Sequence, residues 1–177
     1  GFFGRINYSY KNKLLLEVNS RFDGSSKFPV TQHWGFFPSQ SMGYVITEER
    51  FMDVLKPVLS FLKIRESYGA IGNQDVGANR FLSIMSPINS GWWIDGSNMR
   101  SASTPTPLSP VLTWEKVSTL DFGIDARMFA DHMGITFDWY QRTTSDMITG
   151  GITLPTTYGA SSPVRNFGEM QTTGWEI

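Results

Sequence analysis

The sequence predicts an all-β fold, an antiparallel up-and-down sheet of about six to seven long strands that crosses a membrane as a segment of a β-barrel. Three observations support this prediction. Apolar and polar side chains alternate through two long segments, residues 113–128 and 133–149. Both exceed the ~5–6 residues of a usual soluble strand and reach the about 9–11 residues of a tilted transmembrane strand. The connections between predicted strands are short at one end and long at the other, as in outer-membrane barrels with short periplasmic turns and long extracellular loops.

The two long segments place their apolar and charged side chains on opposite faces. Phe122 and Ile124 alternate with Asp121 and Asp125, and residues 133–142 continue the same pattern. A period of two separates the two sets of side chains across the strand. Alternation alone does not distinguish lipid from a protein core. A soluble antiparallel β-sandwich is therefore the alternative at this point.

The N-terminal part predicts a hairpin followed by a loop. Residues 1–10 and 14–21 alternate in the same way, and the polar residues 11–13 form a tight turn between them. Residues 22–34 are rich in turn-forming types and predict a longer loop.

The next part contains two weaker strands and a change of period. Residues 35–46 predict strand three and residues 62–69 predict strand four. Between them, residues 47–62 have helical spacing, which Pro57 should break after one or two turns. Glu66 falls on the apolar face of strand four, where a carboxylate facing lipid is penalised. Either Glu66 lies near a headgroup region, or the register of strand four differs from this prediction.

Long loops are predicted in the C-terminal part. Residues 70–112 include the Pro-rich run 103–110, residues 150–173 are again loop-like, and residues 174–177 resemble the start of another strand. In the first of these loops, Trp92, Trp93 and Asp95 form a candidate contact for a ligand, because aromatic rings beside a carboxylate suit sugar recognition. The alternative is ordinary packing within the loop.

The charged and polar faces of the predicted strands would form the wall of the barrel lumen. Such a wall serves as a substrate path or as a contact for a plug, or it is a series of cross-strand charge pairs that stabilises the sheet. The residues assigned to it are Arg5, Asn7, Glu17, Asn19, Arg21, Arg65, Asp121, Asp125, Arg127, Asp138 and Arg142.

Six aromatic residues are candidates for the interfacial girdle of a membrane barrel, since their rings suit the headgroup level. The alternative is that they simply fill the apolar wall. They are Trp34, Phe36, Phe37, Tyr44, Tyr68 and Trp139.

Composition argues against several other classes of protein. The 15 Lys and Arg nearly balance the 16 Asp and Glu, so there is no electrostatic footprint for nucleic acid. The chain has no cysteine, and His33 and His132 have no companions at metal-ligand spacing. No phosphate-binding loop or hydrolase motif is present. We therefore expect no enzyme, no metal and no cofactor.

Five motifs and a C-terminal signature resemble, in order, the barrel of SusC/RagA-type TonB-linked (TonB-dependent) outer-membrane transporters. They are GFFGRINYSYKNKLLLEVNSRFDGSSKF, WGFFPSQSMGY, LKIRESYGAIGNQ, LTWEKVSTLDFGID, FDWYQRTTSDMI and GEM…GWE. The resemblance implies a multi-pass barrel in the outer membrane of a Gram-negative bacterium, in contact with its lipid. It also implies import of oligosaccharides, glycans or peptides, energised by the TonB complex and covered by a SusD-like surface lipoprotein.

The resemblance further implies that residues 1–177 form part of a TonB-dependent receptor β-barrel domain, the C-terminal portion. Six or seven strands do not close a wall of about 22 strands. No plug domain, TonB box or signal peptide is found in the sequence. Two alternatives differ in what this chain does alone: a soluble carbohydrate-binding module, or a small closed pore.

Overall fold

The computed structural model describes residues 1–77, 80–105, 107–109, 112–150, 153–160 and 162–177. Two positions of the predicted Pro-rich loop, Thr106 and Pro110, therefore lie outside the described residues. Among the described residues, no helix combines the length and the apolar content that a membrane span requires. The strands are β1 Phe2–Tyr10, β2 Leu14–Gly24, β3 Trp34–Val45, β4 Leu59–Asn73, β5 Pro87–Ile94, β6 Ser97–Ala102, β7 Glu115–Met128, β8 Met133–Gly150 and β9 Val164–Glu176.

Seven of these strands form one antiparallel sheet in the order β1-β2-β3-β4-β7-β8-β9. Their connections alternate between two edges. Residues 11–13, 46–58 and 129–132 lie at one edge, called the turn edge. The connections that follow β2, β4 and β8 leave the sheet at the other edge, called the loop edge. The predicted up-and-down topology is confirmed. The order is open, with β1 and β9 at its margins, so the chain does not close a small pore by itself.

The seven-stranded sheet is a single layer. On the face that carries Phe122, Ile124 and Phe137, called the apolar face, these side chains remain 45%, 42% and 36% exposed. The accessible surface of 12487 Å² for 20.0 kDa exceeds the about 8,700 Å² expected of a compact monomer. A β-sandwich would cover this face with a second layer. The sandwich alternative is therefore wrong.

The apolar surface follows the sheet obliquely. On β1 to β3 it reaches Phe2, Phe22 and Phe36, which are aligned by the strand register. On β7 the last apolar side chain on this face toward the loop edge is Leu120, and on β8 it is Trp139. Leu120 and Trp139 both lie several residues closer to the turn edge than the row of Phe2, Phe22 and Phe36 does. This stagger is the shear that a tilted barrel wall requires.

Glu66 lies on the apolar face, as its position in the alternating pattern predicts. Its cross-strand neighbours are Met42 on β3 and Phe122 on β7. The predicted register of strand four is therefore correct. On β4 the carboxylate is flanked by Ile64 on one side and by Tyr68 on the other. Its cross-strand row continues through Phe122 to Trp139, the last apolar side chain of β8 toward the loop edge.

The helical segment predicted before strand four forms only short turns. The 3₁₀ turns Ile46–Glu48 and Arg50–Met52 are followed by isolated helical hydrogen bonds, and β4 begins at Leu59, soon after Pro57. Proline removes a backbone donor and ends a helix. The prediction of an interrupted helix is correct in kind, but strand four starts earlier than residue 62.

One separate hairpin, β5–β6, and one strand of the main sheet, β9, lie where the sequence predicts loops. The strands β5 and β6 pair only with each other. Strand β9 begins at Val164 and not at residue 174, and it pairs with β8 through register shifts near Met147. These shifts break the period of two, and Gln171, Thr172 and Thr173 are polar on both faces. Neither feature leaves an alternating pattern in the sequence.

Candidate functional site

The strand register places all eleven predicted wall residues on one face, called the polar face. Asn7, Glu17 and Asp121 belong to one cross-strand row, continued between them by Ser41 and Ser67. The other eight predicted residues occupy the neighbouring rows of the same face: Arg5, Asn19, Arg21, Arg65, Asp125, Arg127, Asp138 and Arg142.

Arg65 is the centre of the largest ionic network on this face. Its guanidinium reaches Asp138 on β8 at 2.6 Å, Asp125 on β7 at 3.2 Å and Asp121 on β7 at 3.7 Å. Its Nε donates to Asp125 Oδ2 and its Nη2 donates to Asp138 Oδ2. One cation therefore joins three carboxylates across three strands, and the network keeps an excess of negative charge.

Because Gly123 has no side chain, the Arg65 side chain can extend over β7 to reach Asp138 on β8. Position 123 lies between Arg65 and Asp138 in the same cross-strand row. A Cβ at this position would lie 2.5 Å from Arg65 Cζ and 2.5 Å from Asp138 Oδ1. Any larger residue would therefore push the guanidinium away from β8. The glycine of the sequence LDFGID is explained by this ion pair.

Other polar-face residues form smaller contacts. Arg5 Nε donates to Asn19 Oδ1 at 2.6 Å, and Asn19 Nδ2 donates to Glu17 Oε1 at 2.8 Å. Arg21 pairs with Asp23 at 3.0 Å. Arg5 also pairs across the strands with Glu17 at 3.7 Å, and this pair is of the stabilising kind that sequence reasoning offers as the alternative to a substrate path. The Arg127 guanidinium instead lies over the Phe61 ring at 5.3 Å.

Removal of the Arg65 charge should destabilise the sheet. Arg65→Met leaves three neighbouring carboxylates without their shared cation, and we expect a loss of about 1–2 kcal/mol, modest because the network is partly exposed. The measurement is the free energy of unfolding of the full-length parent protein. Arg127→Met, outside the network, is the matched control, and an equal loss in both variants would contradict this assignment.

A hydrophobic cluster at the loop edge was not predicted from the sequence. Phe28, Phe37, Val76, Leu112 and Trp114 are buried together, and Ile148 and Val164 pack against them. Phe37 belongs to the polar face, aligned with Arg21. A Cβ at Gly72 would collide with its ring. The cluster fixes the roots of two long connections to the wall, one before β3 and one around β5 and β6.

Hydrogen bonds reinforce this loop anchor. The Trp114 indole N–H donates to the His33 carbonyl at 3.2 Å. Asn166 on β9 accepts from the Thr113 N–H at 2.9 Å and donates to the Thr113 carbonyl at 2.8 Å. Its side-chain amide also donates to the Asp146 carbonyl. The Asn166 side chain thus satisfies the backbone N–H and carbonyl of Thr113, just before β7, as a neighbouring strand would.

The three predicted contact residues of the long loop are adjacent at the tip of the β5–β6 hairpin. Trp92 and Trp93 are 71% and 69% exposed. Asp95 and Gly96 have φ of 53° and 76° and form the two-residue turn, as Asp-Gly sequences favour. Trp92 lies in the irregular stretch of the ladder between Asn89 and Trp93, so the period of two does not fix the relative direction of the two indoles.

The candidate girdle residues divide between the two faces. Phe37 is buried in the loop-edge cluster, so its assignment to the girdle is wrong. Trp34, which belongs to the apolar face, stacks on Phe22 at 5.0 Å between ring centroids and contacts Phe2 at 6.2 Å. This group lies at the loop edge. The other candidates on the apolar face are Phe36, Tyr44, Tyr68 and Trp139.

Metal binding has no support in the described part of the chain. No group of three or more His, Asp or Glu side chains is close enough there to hold a metal ion.

Comparisons with known proteins agree with this architecture. A family profile described as TonB dependent receptor-like, beta-barrel matches residues 1–177. The chain is 34% identical to TonB-dependent receptor P26 of Formosa agariphila, over 99% of this chain and 17% of that protein. It is 33% identical to TonB-dependent receptor SusC of Bacteroides thetaiotaomicron, over 99% of this chain and 18% of that protein.

Solved structures of the RagAB peptide importer share the fold. The structure in the closed-closed state has a TM-score of 0.80 at 29% identity, and the structure in the open-open state has a TM-score of 0.82 at the same identity. Each comparison covers 98% of this chain and 18% of the matched chain. The chain thus spans less than a fifth of the length of its relatives. It belongs to the TonB-dependent receptor-like β-barrel family, in its SusC/RagA branch.

Proposed function

We propose that this chain is part of the wall of an outer-membrane transporter that imports bulky nutrients, oligosaccharides or peptides, with energy from the TonB complex. The observation that carries the proposal is the single-layer sheet itself. One face exposes Phe122, Ile124 and Phe137 as hydrocarbon requires, and the opposite face holds the Arg65 network. Such a wall separates lipid from a polar lumen. The similarity to receptors and importers supports transport over catalysis.

In the proposed orientation the turn edge faces the periplasm and the loop edge faces the cell exterior. Short periplasmic turns and long extracellular loops are the rule for these barrels. The buried cluster around Trp114 then holds the extracellular loops on the wall at the mouth. The polar face lines the lumen, where a plug and a passing substrate would meet it.

The β5–β6 hairpin is the proposed contact for the substrate or for a SusD-like lipoprotein lid. Its tip carries exposed aromatic side chains on a ribbon that pairs with no strand of the main sheet. Exposed aromatic clusters of this kind mark interaction sites. The name of the RagAB relative points to peptides as one candidate substrate class.

Energised uptake by the full-length parent protein tests the proposed function. Cells that express it should accumulate a fluorescent oligosaccharide or peptide library, and accumulation should stop when the TonB complex is deleted or the proton gradient is collapsed. Comparing the two libraries separates the substrate classes. Uptake that persists without TonB would indicate a passive pore and contradict the proposal.

Loss of the hairpin tip should impair recognition without impairing folding. For the double variant Trp92→Ala and Trp93→Ala, we expect at least about tenfold weaker binding of substrate or lid, as for central aromatic contacts in other interfaces. Binding to the purified full-length protein is the measurement. Ile88→Ala, a partly exposed apolar residue away from the tip, serves as the control. Unchanged affinity in the double variant would remove the hairpin from the site.

A further inference from the structure

The β3–β4 connection, residues 46–58, carries an apolar surface at the turn edge. Phe51, Val54, Leu55 and Val58 are 70%, 85%, 52% and 53% exposed. They recur every three or four residues along consecutive hydrogen-bonded turns, a spacing that brings apolar side chains to one side of such turns. The other short connections of the turn edge, residues 11–13 and 129–132, have no comparable run. The feature therefore requires an explanation of its own.

This connection is ordered and firmly attached to the sheet. The Lys13 ammonium and the Tyr44 hydroxyl donate to Glu49 at 3.0 Å and 2.9 Å. These bonds, that from Lys13 first, lower the pKa of the Glu49 carboxyl below its ordinary value. Thr47 is buried, and its hydroxyl accepts a hydrogen bond from the Leu62 N–H. The apolar side chains are therefore held outward on a fixed scaffold.

The contacts tie the connection to the apolar face at its start. Tyr44 belongs to that face, aligned with Leu14 on β2 and with Ile64 on β4. Its hydroxyl donates to Glu49, so the first turn of the connection lies directly beyond the last apolar side chain of β3. At its other end, the Val58 carbonyl accepts from the Phe129 N–H of the neighbouring turn. The exposed apolar side chains of the connection thus lie just beyond the ends of strands that carry the apolar face.

We infer that the β3–β4 connection lies in the headgroup region of the nearest lipid leaflet, with Phe51, Val54, Leu55 and Val58 against the acyl chains. The inference rests on the proposed membrane setting of the strands. Continuity with the lipid-facing surface of Tyr44 and Ile64 argues for lipid as the occupant. The charged residues of the segment support the same arrangement, because Asp53 and Lys56 pair at 2.7 Å and provide a polar side. Amphipathic segments of this kind bind in the interface plane.

Spin labels in the full-length parent protein, reconstituted in phospholipid bilayers, test this inference. The described chain has no cysteine, so Val54→Cys introduces a single label in this region. We expect the label to collide more often with oxygen, which partitions into lipid, than with a water-soluble nickel complex. The ratio of the two collision rates should be several-fold higher at Val54 than at Glu48→Cys, an exposed polar position of the same connection. Leu55→Cys is a second reporter if the first variant does not fold.

The outcomes separate this inference from the membrane setting. A label at Ile124→Cys, in the middle of the apolar face, is the reference. If oxygen collides more often with the Ile124 label and the nickel complex collides more often with the Val54 label, the connection lies in water outside the bilayer and the inference is overturned. If the Val54 label is shielded from both reagents, a protein covers the connection and the inference is again overturned. If the nickel complex collides more often than oxygen with the Ile124 label, the proposed membrane setting of the strands is contradicted, and this inference with it.

Discussion

Replacing Ile124 with arginine should destabilise the full-length parent protein by about 2–4 kcal/mol, the range for a cation at the bilayer midplane of a barrel. Ile124 lies on the apolar face, between Ile64 on β4 and Phe137 on β8, and none of the three has a polar group to pair with a guanidinium. The measurement is the free energy of unfolding in guanidinium in the presence of phospholipid vesicles.

The matched control for this substitution is on the neighbouring strand. Thr136 lies on the polar face, directly opposite Asp125. Thr136→Arg introduces the same side chain where water and a carboxylate are available, so we expect little change in stability. Equal losses in the two variants would mean that both faces meet the same environment, and the assignment of lipid to one face would be wrong.

Truncation of the loop anchor should have an effect of similar size. Trp114 is 5% exposed and contacts the rings of Phe28 at 5.2 Å and Phe37 at 5.4 Å. Trp114→Ala removes these contacts and the hydrogen bond to His33, and large-to-small changes of this kind cost about 3–5 kcal/mol. Because the cluster holds the loop roots, protease cleavage within residues 74–114 should also become faster. Unfolding and limited proteolysis of the full-length protein measure the two effects.

Trp92→Ala provides the comparison for this truncation. The same change of side chain at an exposed hairpin position leaves no cavity in the described structure, so stability should remain within about 0.5 kcal/mol. A small effect at Trp114, together with unchanged proteolysis, would show that the loops are held by other contacts.

The sequence was most informative where the strands alternate with a period of two. The predicted segments 113–128 and 133–149 correspond to strands Glu115–Met128 and Met133–Gly150. The first hairpin was located equally well. Even Glu66, the residue that conflicts with the pattern, lies where its place in the alternation puts it. In these segments one face is apolar at every second position, which identifies the strands and their faces, and the single-layer sheet then excludes a second protein layer within the described chain.

Prediction from sequence failed where strands pair with shifted register or where the contacting residues follow no regular spacing. Strand β9 is polar on both faces and has shifted register against β8, so it reads as a loop. The β5–β6 hairpin contains a bulge before Trp93. The loop-edge cluster joins Phe28 to Leu112, which are distant in sequence and unmarked by spacing. For the same reason Phe37 was assigned to the girdle, although its position in strand three places it on the polar face.

The oblique course of the apolar surface has a consequence for depth in the proposed membrane. Ile6, Val18, Leu120 and Gln141 belong to one register row, which continues through Gln40 and Tyr68 between them. Because tilted strands carry such a row upward from one side of the sheet to the other, its members lie at different depths. In the proposed membrane setting, we expect Ile6 to lie in hydrocarbon and Gln141 to lie near the headgroup level. How well a residue tolerates a polar replacement therefore depends on the depth of its strand as well as on its partners across the sheet.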